Sequence, residues 1–284
     1  MSLMKINELQ NLSKLFVYPV YWINLEKNTN RQTHMIKELN KLNVKHLRIN
    51  AIKLMQRETP PYWFQEVGEK LTNFNISSKT MENNTLGEIG CALSHLKAIE
   101  TSFNNNDSIS IIMEDDVSFK LYKYWDKTLS DIVNNAPKDW DIIQLNTSNA
   151  DELWKMHINE NIEEYLEWNE DYYSCLAYII NKNGMKKILS RYDTKNIDNY
   201  CFISDRIIYK ECNTYTLSKP LFTFQSKFKS TLQKDRLVFK NVEEKNWEIK
   251  TNEIVSKHMY NIPPETPIGE YKWWEEENTK LDDF

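Results

Sequence analysis

The chain has 284 residues, 40% of them hydrophobic and 27% charged, enough to bury one full core with at most an appended subdomain. Its net charge of −5 argues against a nucleic-acid partner, which needs a concentrated basic face. No apolar run reaches membrane-spanning length and no basic-then-apolar leader opens the chain, so a cytoplasmic protein is expected, or one of the host cytoplasm if the source is viral.

Met1-Ser2-Leu3 reads as a tag remnant ahead of a natural start at Met4. Residues 17–25 read as a first buried strand, and residues 30–43 carry Met35, Ile36, Leu39 and Leu42 at helical spacing. Residues 44–52 read as a second strand, completing a β-α-β unit, the usual opening of a nucleotide-binding half-domain. Residues 55–82 read as loop with a short helix. A helix opens at Thr85, where Thr85-Leu86-Gly87-Glu88 fits a capping box. An Asn-rich turn over 104–107 separates it from a strand over 108–114. Strands follow over 141–145 and 173–181, with a polar loop between them through about residue 170, and then a helix over 184–192. The pattern turns irregular beyond Pro220 and ends in an acidic tail with Trp273 and Trp274. No repeat or low-complexity linker divides the chain. One domain over 1–240 with a C-terminal extension over 241–284 is expected, and the fold class is α/β, a Rossmann-like mixed sheet with helices on both faces.

The most informative local feature is the strand Ile109-Ser110-Ile111-Ile112-Met113 running into Glu114-Asp115-Asp116. A strand apolar on both faces lies inside a sheet, and its C-terminal edge is where open α/β folds bind ligands. Three adjacent carboxylates repel one another unless a cation screens them, and all-oxygen ligands suit Mg²⁺, Mn²⁺ or Ca²⁺ rather than zinc. Strand alternation would turn Glu114 and Asp116 to one face and Asp115 to the other. One of the first two can then hold a metal while the other meets a ribose or sugar hydroxyl. The alternative is a solvated acidic turn.

Only five glycines occur, two of them in Gly87-Glu88-Ile89-Gly90. Glycines at a helix start allow close approach of backbone or of an anion, or simply close helix packing. Ser94 and His95, one turn on, either satisfy themselves in the core or point to a site. A histidine without a neighbouring His or Cys is more often structural than a ligand. Arg31 follows the first strand and either pairs with a diphosphate or snorkels on the surface, which is the better reading of that residue taken alone. The four cysteines, Cys91, Cys175, Cys201 and Cys212, make no CxxC pair and suit free thiols.

Together Ile23-Asn24-Leu25 with Arg31, Arg48-Ile49-Asn50-Ala51, Gly87-Glu88-Ile89-Gly90-Cys91-Ala92-Leu93-Ser94-His95 and Glu114-Asp115-Asp116-Val117 resemble glycosyltransferase family 25. Trp140-Asp141-Ile142-Ile143-Gln144-Leu145 and Ala177-Tyr178-Ile179-Ile180 with Gly184 resemble its later strands, and the likeness spans about residues 17–235. The resemblance implies a GT-A fold and inverting transfer of a sugar, from UDP-galactose, UDP-glucose or a similar UDP-sugar, to a glycan or protein acceptor. It places Asn24, Leu25 and Ala51 in the nucleoside pocket. Arg31, Asp115 and the helix with Glu88, Gly90, Ser94 and His95 lie near the donor. Glu114 and Asp116 become a DxD-like site for Mn²⁺ or Mg²⁺, the longer Glu side chain making ligation firmer at Asp116.

The resemblance also supplies a general base, Asp205 in Ile203-Ser204-Asp205-Arg206-Ile207, with Asp198 as rival; either can instead cap a helix. Gln225, Ser226 and Ser230 are similar to a late Gln…Ser segment that contacts the diphosphate or the acceptor. Gln225, Gln233 and His258 are candidates for a third metal ligand. A catalytically silent relative that binds a sugar nucleotide or glycan is the competing expectation. A two-metal phosphohydrolase is less favoured, because no second acidic cluster carries a His.

Overall fold

The computed structural model describes residues 16–54, 63–65, 73–192, 196–199, 201–225 and 247–263. Ser226, Ser230, Gln233, Trp273 and Trp274 lie outside the described residues. In chain order the elements are β1 (Val20–Asn24), α1 (Thr29–Lys41), β2 (His46–Asn50), β3 (Trp63–Gln65), β4 (Asn73–Ile76), α2 (Ser78–Asn83), α3 (Leu86–Asn104), β5 (Ile109–Glu114) and β6 (Val117–Ser118). A 3₁₀ turn (Lys120–Tyr124) leads to α4 (Leu129–Asn135), β7 (Ile142–Gln144), α5 (Ala150–Ile158), β8 (Tyr165–Glu167), β9 (Ala177–Asn181), α6 (Lys182–Arg191) and β10 (Asn196–Ile197). The remainder are α7 (Ser204–Tyr209), β11 (Thr214–Leu217), β12 (Thr223–Phe224) and α8 (Trp247–Glu253), which runs into a π turn (Ile254–Met259).

Seven strands form a mixed sheet in the order β2-β1-β5-β9-β7-β11-β8. β1 is parallel to both β2 and β5, whereas β9 is antiparallel to β5 and β7. The opening β-α-β unit forms as its spacing predicts. Residues alternate across the strands. Tyr21, Ile23, Ile112, Tyr178 and Ile180 join Ile89, Leu93 and Leu96 of α3 in one core, while Trp22, Ile111, Met113 and Ile179 join Met35 and Leu39 of α1 in the other. Helices therefore cover both faces of the sheet. No helix among the described residues is long and apolar enough to cross a membrane.

Two stretches differ from the sequence expectation. The polar loop expected before residue 170 contains α5 and β8. α5 buries only Leu153 and Met156, so its apolar stripe is thin; its signals are chemical instead. Asn149 caps it by accepting from the N–H groups of Asp151 and Glu152, acids fill the first turn, and Lys155 and His157 close the last. Beyond Pro220, β12 pairs antiparallel with β6, and α8 packs beside it. Asn252 of α8 donates to the Phe224 carbonyl and accepts from its N–H, at 2.8 and 3.0 Å. α8 falls in the 241–284 stretch that the sequence sets apart as an extension.

The N-terminus of α3 is seated with little slack. Thr85 and Glu88 form the reciprocal capping box that the sequence predicts. One turn on, Ser94 Oγ accepts from the Ile52 N–H at 2.8 Å and donates to the Gly90 carbonyl at 2.6 Å. A Cβ on Gly90 would stand 2.7 Å from the Ile52 carbonyl oxygen, a backbone atom that cannot swing aside. Glycine here is a matter of helix-to-backbone approach. Gly90→Ala should therefore destabilise the fold by about 1–3 kcal/mol, the usual range for overpacking, read from urea unfolding at constant m-value.

Candidate active site

The carboxyl ends of β2, β1 and β5 lie side by side, and the chain leaves the central β1 toward opposite sides to build the other two. Such a switch point leaves a crevice at the strand ends. β5 delivers Glu114 there, and the turn that follows it delivers Asp115 and Asp116.

Glu114 is the last residue of β5 and shares the α3 face with Ile112. Its Oε1 stands 3.3 Å from His95 Nε2 and 3.9 Å from Cys91 Sγ. The ligand atoms of Cys91, His95 and Glu114 all lie within 4.8 Å of one another. His95 is fully buried, and its Nδ1 meets the Tyr178 hydroxyl at 3.2 Å. His95 thus has a cysteine neighbour after all, one helical turn earlier, at a spacing written in the sequence.

Asp115 points the other way, toward α1. It accepts from Asn24 Nδ2 at 2.6 Å and from Arg31 Nη1 at 2.6 Å. Asp116 turns onto the same Arg31 nitrogen, at 3.0 Å. The expectation that Glu114 and Asp116 share a face is corrected here. Alternation ends with the strand at Glu114, and the chain bends into β6, so Asp115 and Asp116 become the pair that shares a partner. The surface reading of Arg31 is corrected as well, since the residue is only 8% exposed.

One guanidinium shared by two carboxylates, with a third close by, leaves the cluster short of positive charge. Burial and the neighbouring Glu114 push Asp116 up to about 8 against the pull of Arg31. Burial raises Asp115 too, again against Arg31. On Arg31 burial disfavours the charge, but Asp116 and Asp115 outweigh it and its pKa is raised. Asp116 Oδ1 and Asn24 Oδ1 remain buried acceptors with no hydrogen-bond partner among the described residues. Orphaned hard oxygens beside excess negative charge fit a divalent cation of the Mg²⁺ or Mn²⁺ type.

Glu248 of α8, absent from the sequence reading, adds to this charge. It raises Asp116, and its own pKa is raised by burial and held back by Arg31. No motif marked it; the ring contact of Trp247 with Phe224, at 5.1 Å, and the Asn252 bridge carry it to the cluster. Gln225 enters by its backbone, its N–H donating to the Asp116 carbonyl at 2.7 Å. His258 packs its ring on Trp154 and His157, at 5.1 and 5.6 Å. Leu25 and Ala51 are half-buried at the ends of β1 and β2, where the Ala51 N–H donates to the Asn24 carbonyl at 3.0 Å. Glu88, Gly90 and Ser94 act on the seating of α3.

Asp205 lies in the first turn of α7, two residues after the N-cap Ile203. Burial raises its pKa, offset by the N–H groups of Asp205 and Arg206, and the charge of Glu114 adds to the rise. Its neighbour Ser204 places Oγ 3.8 Å from Cys91 Sγ, so α7 walls the same cleft. Burial, then Glu114, holds the Cys91 thiol well above the usual range, and Asp205 contributes in the same direction. Asp198 is exposed and accepts at 2.8 Å from the hydroxyl of Ser77, the N-cap of α2. The structure thus brings Asp205 to the acid cluster and leaves Asp198 on a different contact.

Residues 17–208 match the family model described as glycosyltransferase family 25 (LPS biosynthesis protein). The chain is 28% identical over 181 residues to a "Glycosyltransferase 25 family member" of Anopheles gambiae, covering 62% of this chain and 29% of that protein. It is 28% identical over 180 residues to "Procollagen galactosyltransferase 1-A" of Xenopus laevis, covering 60% and 28%. It is 25% identical over 214 residues to "Procollagen lysyl hydroxylase and glycosyltransferase" of Acanthamoeba polyphaga mimivirus, covering 70% and 22%. The chain thus spans under a third of the length of these curated relatives.

Because Asp115 and Asp116 are answered by one buried guanidinium, Arg31→Met should cost about 3–5 kcal/mol in chemical denaturation, the usual cost of stranding buried charge. Adding Asp115→Asn should recover part of that loss. Additive single effects would mean that the two side chains do not depend on each other.

Proposed function

We propose a reaction for this chain, which belongs to glycosyltransferase family 25: transfer of a hexose from UDP-galactose, UDP-glucose or a similar UDP-sugar to a hydroxyl of a glycan or protein, with inversion. The observation that carries it is the convergence of Asn24, Arg31, Glu114, Asp115 and Asp116 at the switch point of the sheet. Helices on both faces of that mixed sheet support a GT-A reading. Relatives named for galactosyl transfer to procollagen support a protein or glycan hydroxyl as acceptor. Four cysteines free of disulfides suit a reducing compartment, and we place the reaction in the cytoplasm.

Asn24, with an acceptor oxygen to spare, Leu25 and Ala51 take the nucleoside, and Arg31 lies toward the diphosphate. Asp116 would hold Mn²⁺ or Mg²⁺, for which its free Oδ1 is suited, with Glu114, the charge that raises Asp116 most, as the second ligand although the two side chains leave the strand end on different faces. When bound, such a cation neutralises charge gathering on the departing diphosphate. The acceptor oxygen attacks the anomeric carbon as the bond from that carbon to the diphosphate oxygen breaks, and the acceptor proton passes to the Asp205 carboxylate. Burial makes that carboxylate a better base than one in water, and the carboxylates nearby favour positive charge developing on the sugar.

Asp205→Asn should lower kcat by about 10²–10⁴-fold while keeping the Mn²⁺-dependent thermal shift given by UDP-sugar, whereas Asp198→Asn should turn over near the wild-type rate. Asp116→Asn should lose that thermal shift. The base assignment fails if Asp205→Asn releases UDP at the normal rate with acceptor present.

A further inference from the structure

We propose that Cys91, His95 and Glu114 form a second cation site, on the α3 side of the acid cluster, which takes Zn²⁺ or another borderline-soft divalent ion. The site stands on its own geometry and does not depend on the sugar-transfer reading. Thiolate, imidazole and carboxylate are the three ligand types that zinc accepts, and three protein ligands with an open fourth position make a usual zinc centre. Ligands about 2.0–2.3 Å from a tetrahedral ion stand roughly 3.3–3.8 Å from one another. The Glu114 oxygen is 3.3 Å from His95 Nε2 and 3.9 Å from Cys91 Sγ, so those two edges close on an ion with shifts of a few tenths of an ångström, and the third edge, Cys91 to His95, lies within 4.8 Å and closes with a side-chain shift of up to about 1 Å.

The surroundings hold the three groups in place. Cys91 and His95 are one turn apart on the long helix α3 and project from one face. The backbone N–H of Glu114 is anchored on the Leu176 carbonyl at 2.9 Å. The His95 ring is fully buried and stacks on Tyr178 with centroids 5.8 Å apart. The Tyr178 hydroxyl takes the Nδ1 side of that ring at 3.2 Å, leaving Nε2 toward the site. A metal-bound histidine is usually oriented in this way.

The donor set differs in kind from that at Asp115 and Asp116, which offers oxygen alone. A soft ion is drawn to the sulfur and a hard one to the carboxylates, so the two positions select different cations. Glu114 has two carboxylate oxygens and can serve both. Ser204, with Oγ 3.8 Å from Cys91 Sγ, borders the site from α7.

The test uses the full chain, stripped with chelator and titrated with Co²⁺ as a spectroscopic stand-in for zinc. The wild type should develop a near-ultraviolet thiolate-to-cobalt charge-transfer band that Zn²⁺ displaces. Cys91→Ser should lose the band, and Cys201→Ser and Asp116→Asn should keep it. Tyr178→Phe, which removes only the hydroxyl behind His95, should weaken zinc binding by about 10–100-fold in competition with a chromophoric chelator. No band in the wild type, a band that survives Cys91→Ser, or unchanged zinc affinity in Tyr178→Phe would each overturn the proposal. Because Asp116→Asn disables the oxygen site alone, an unchanged UDP-sugar thermal shift in that variant with the cobalt band intact overturns the oxygen-site reading and leaves the second cation site standing.

Discussion

Three consecutive carboxylates can be folded against a protein interior only if something answers their charge. Burying one unpaired carboxylate costs several kcal/mol, and here Asp115 and Asp116 are both buried. A single Arg31 nitrogen meets both, and the Asn24 amide adds a donor to Asp115. That supply is insufficient, as the upward shift of Asp116 and its orphaned Oδ1 record. The shortage is the useful property. A crevice held negative by its own backbone path favours whatever brings positive charge, and the ordering of β1, α1 and β5 gives that crevice its walls. Arg31 reaches the cluster because α1 starts only a few residues after β1, so its first turn must hang over the end of the strand that precedes it.

The second constraint is the seating of α3. Gly90 lets the helix approach the Ile52 carbonyl, and Ser94 accepts from the Ile52 N–H just beyond the end of β2. With those contacts fixed, the next residues on the helix are fixed too. Cys91 and His95 follow one another around the same turn and arrive opposite Glu114. The Gly-to-His string therefore reads as a fold element and as a set of chemical groups at once. Gly90 and Ser94 carry the first role, and Cys91 and His95 supply the second.

The strands and long helices of the sheet were legible because they bury apolar residues at regular spacing. β1, β2 and β5 fall within the expected spans, α1 starts one residue before its own, and the capping box marks the start of α3 to the residue. α5 was not legible, since a helix that buries two side chains leaves almost no periodicity. In the site, the acid cluster was plain, but its geometry was not. Alternation predicts Glu114 and Asp115 correctly and fails at Asp116, because where a strand stops is decided by the pairing of the next segment, and here β6 meets β12 more than a hundred residues later. Glu248 was invisible for the same reason. A lone glutamate on a polar helix carries no local signal, and only the packing of α8 on Phe224 brings it near Arg31 and Asp116.

The split of the triad by strand alternation shapes what the cleft offers. Glu114 faces sulfur and imidazole on α3, while Asp115 and Asp116 face a guanidinium on α1, so three adjacent residues meet two different chemistries. These groups, with Asp205, lie inside the span that matches the family model, residues 17–208. Gln225 and Glu248 lie beyond it and arrive from the C-terminal side, one by a backbone hydrogen bond to Asp116 and the other by its charge. The sheet edge therefore supplies the cluster, and the segment after it tunes the field at Asp116. A change at Glu248 therefore alters the charge around Asp116 without altering the cluster's own residues.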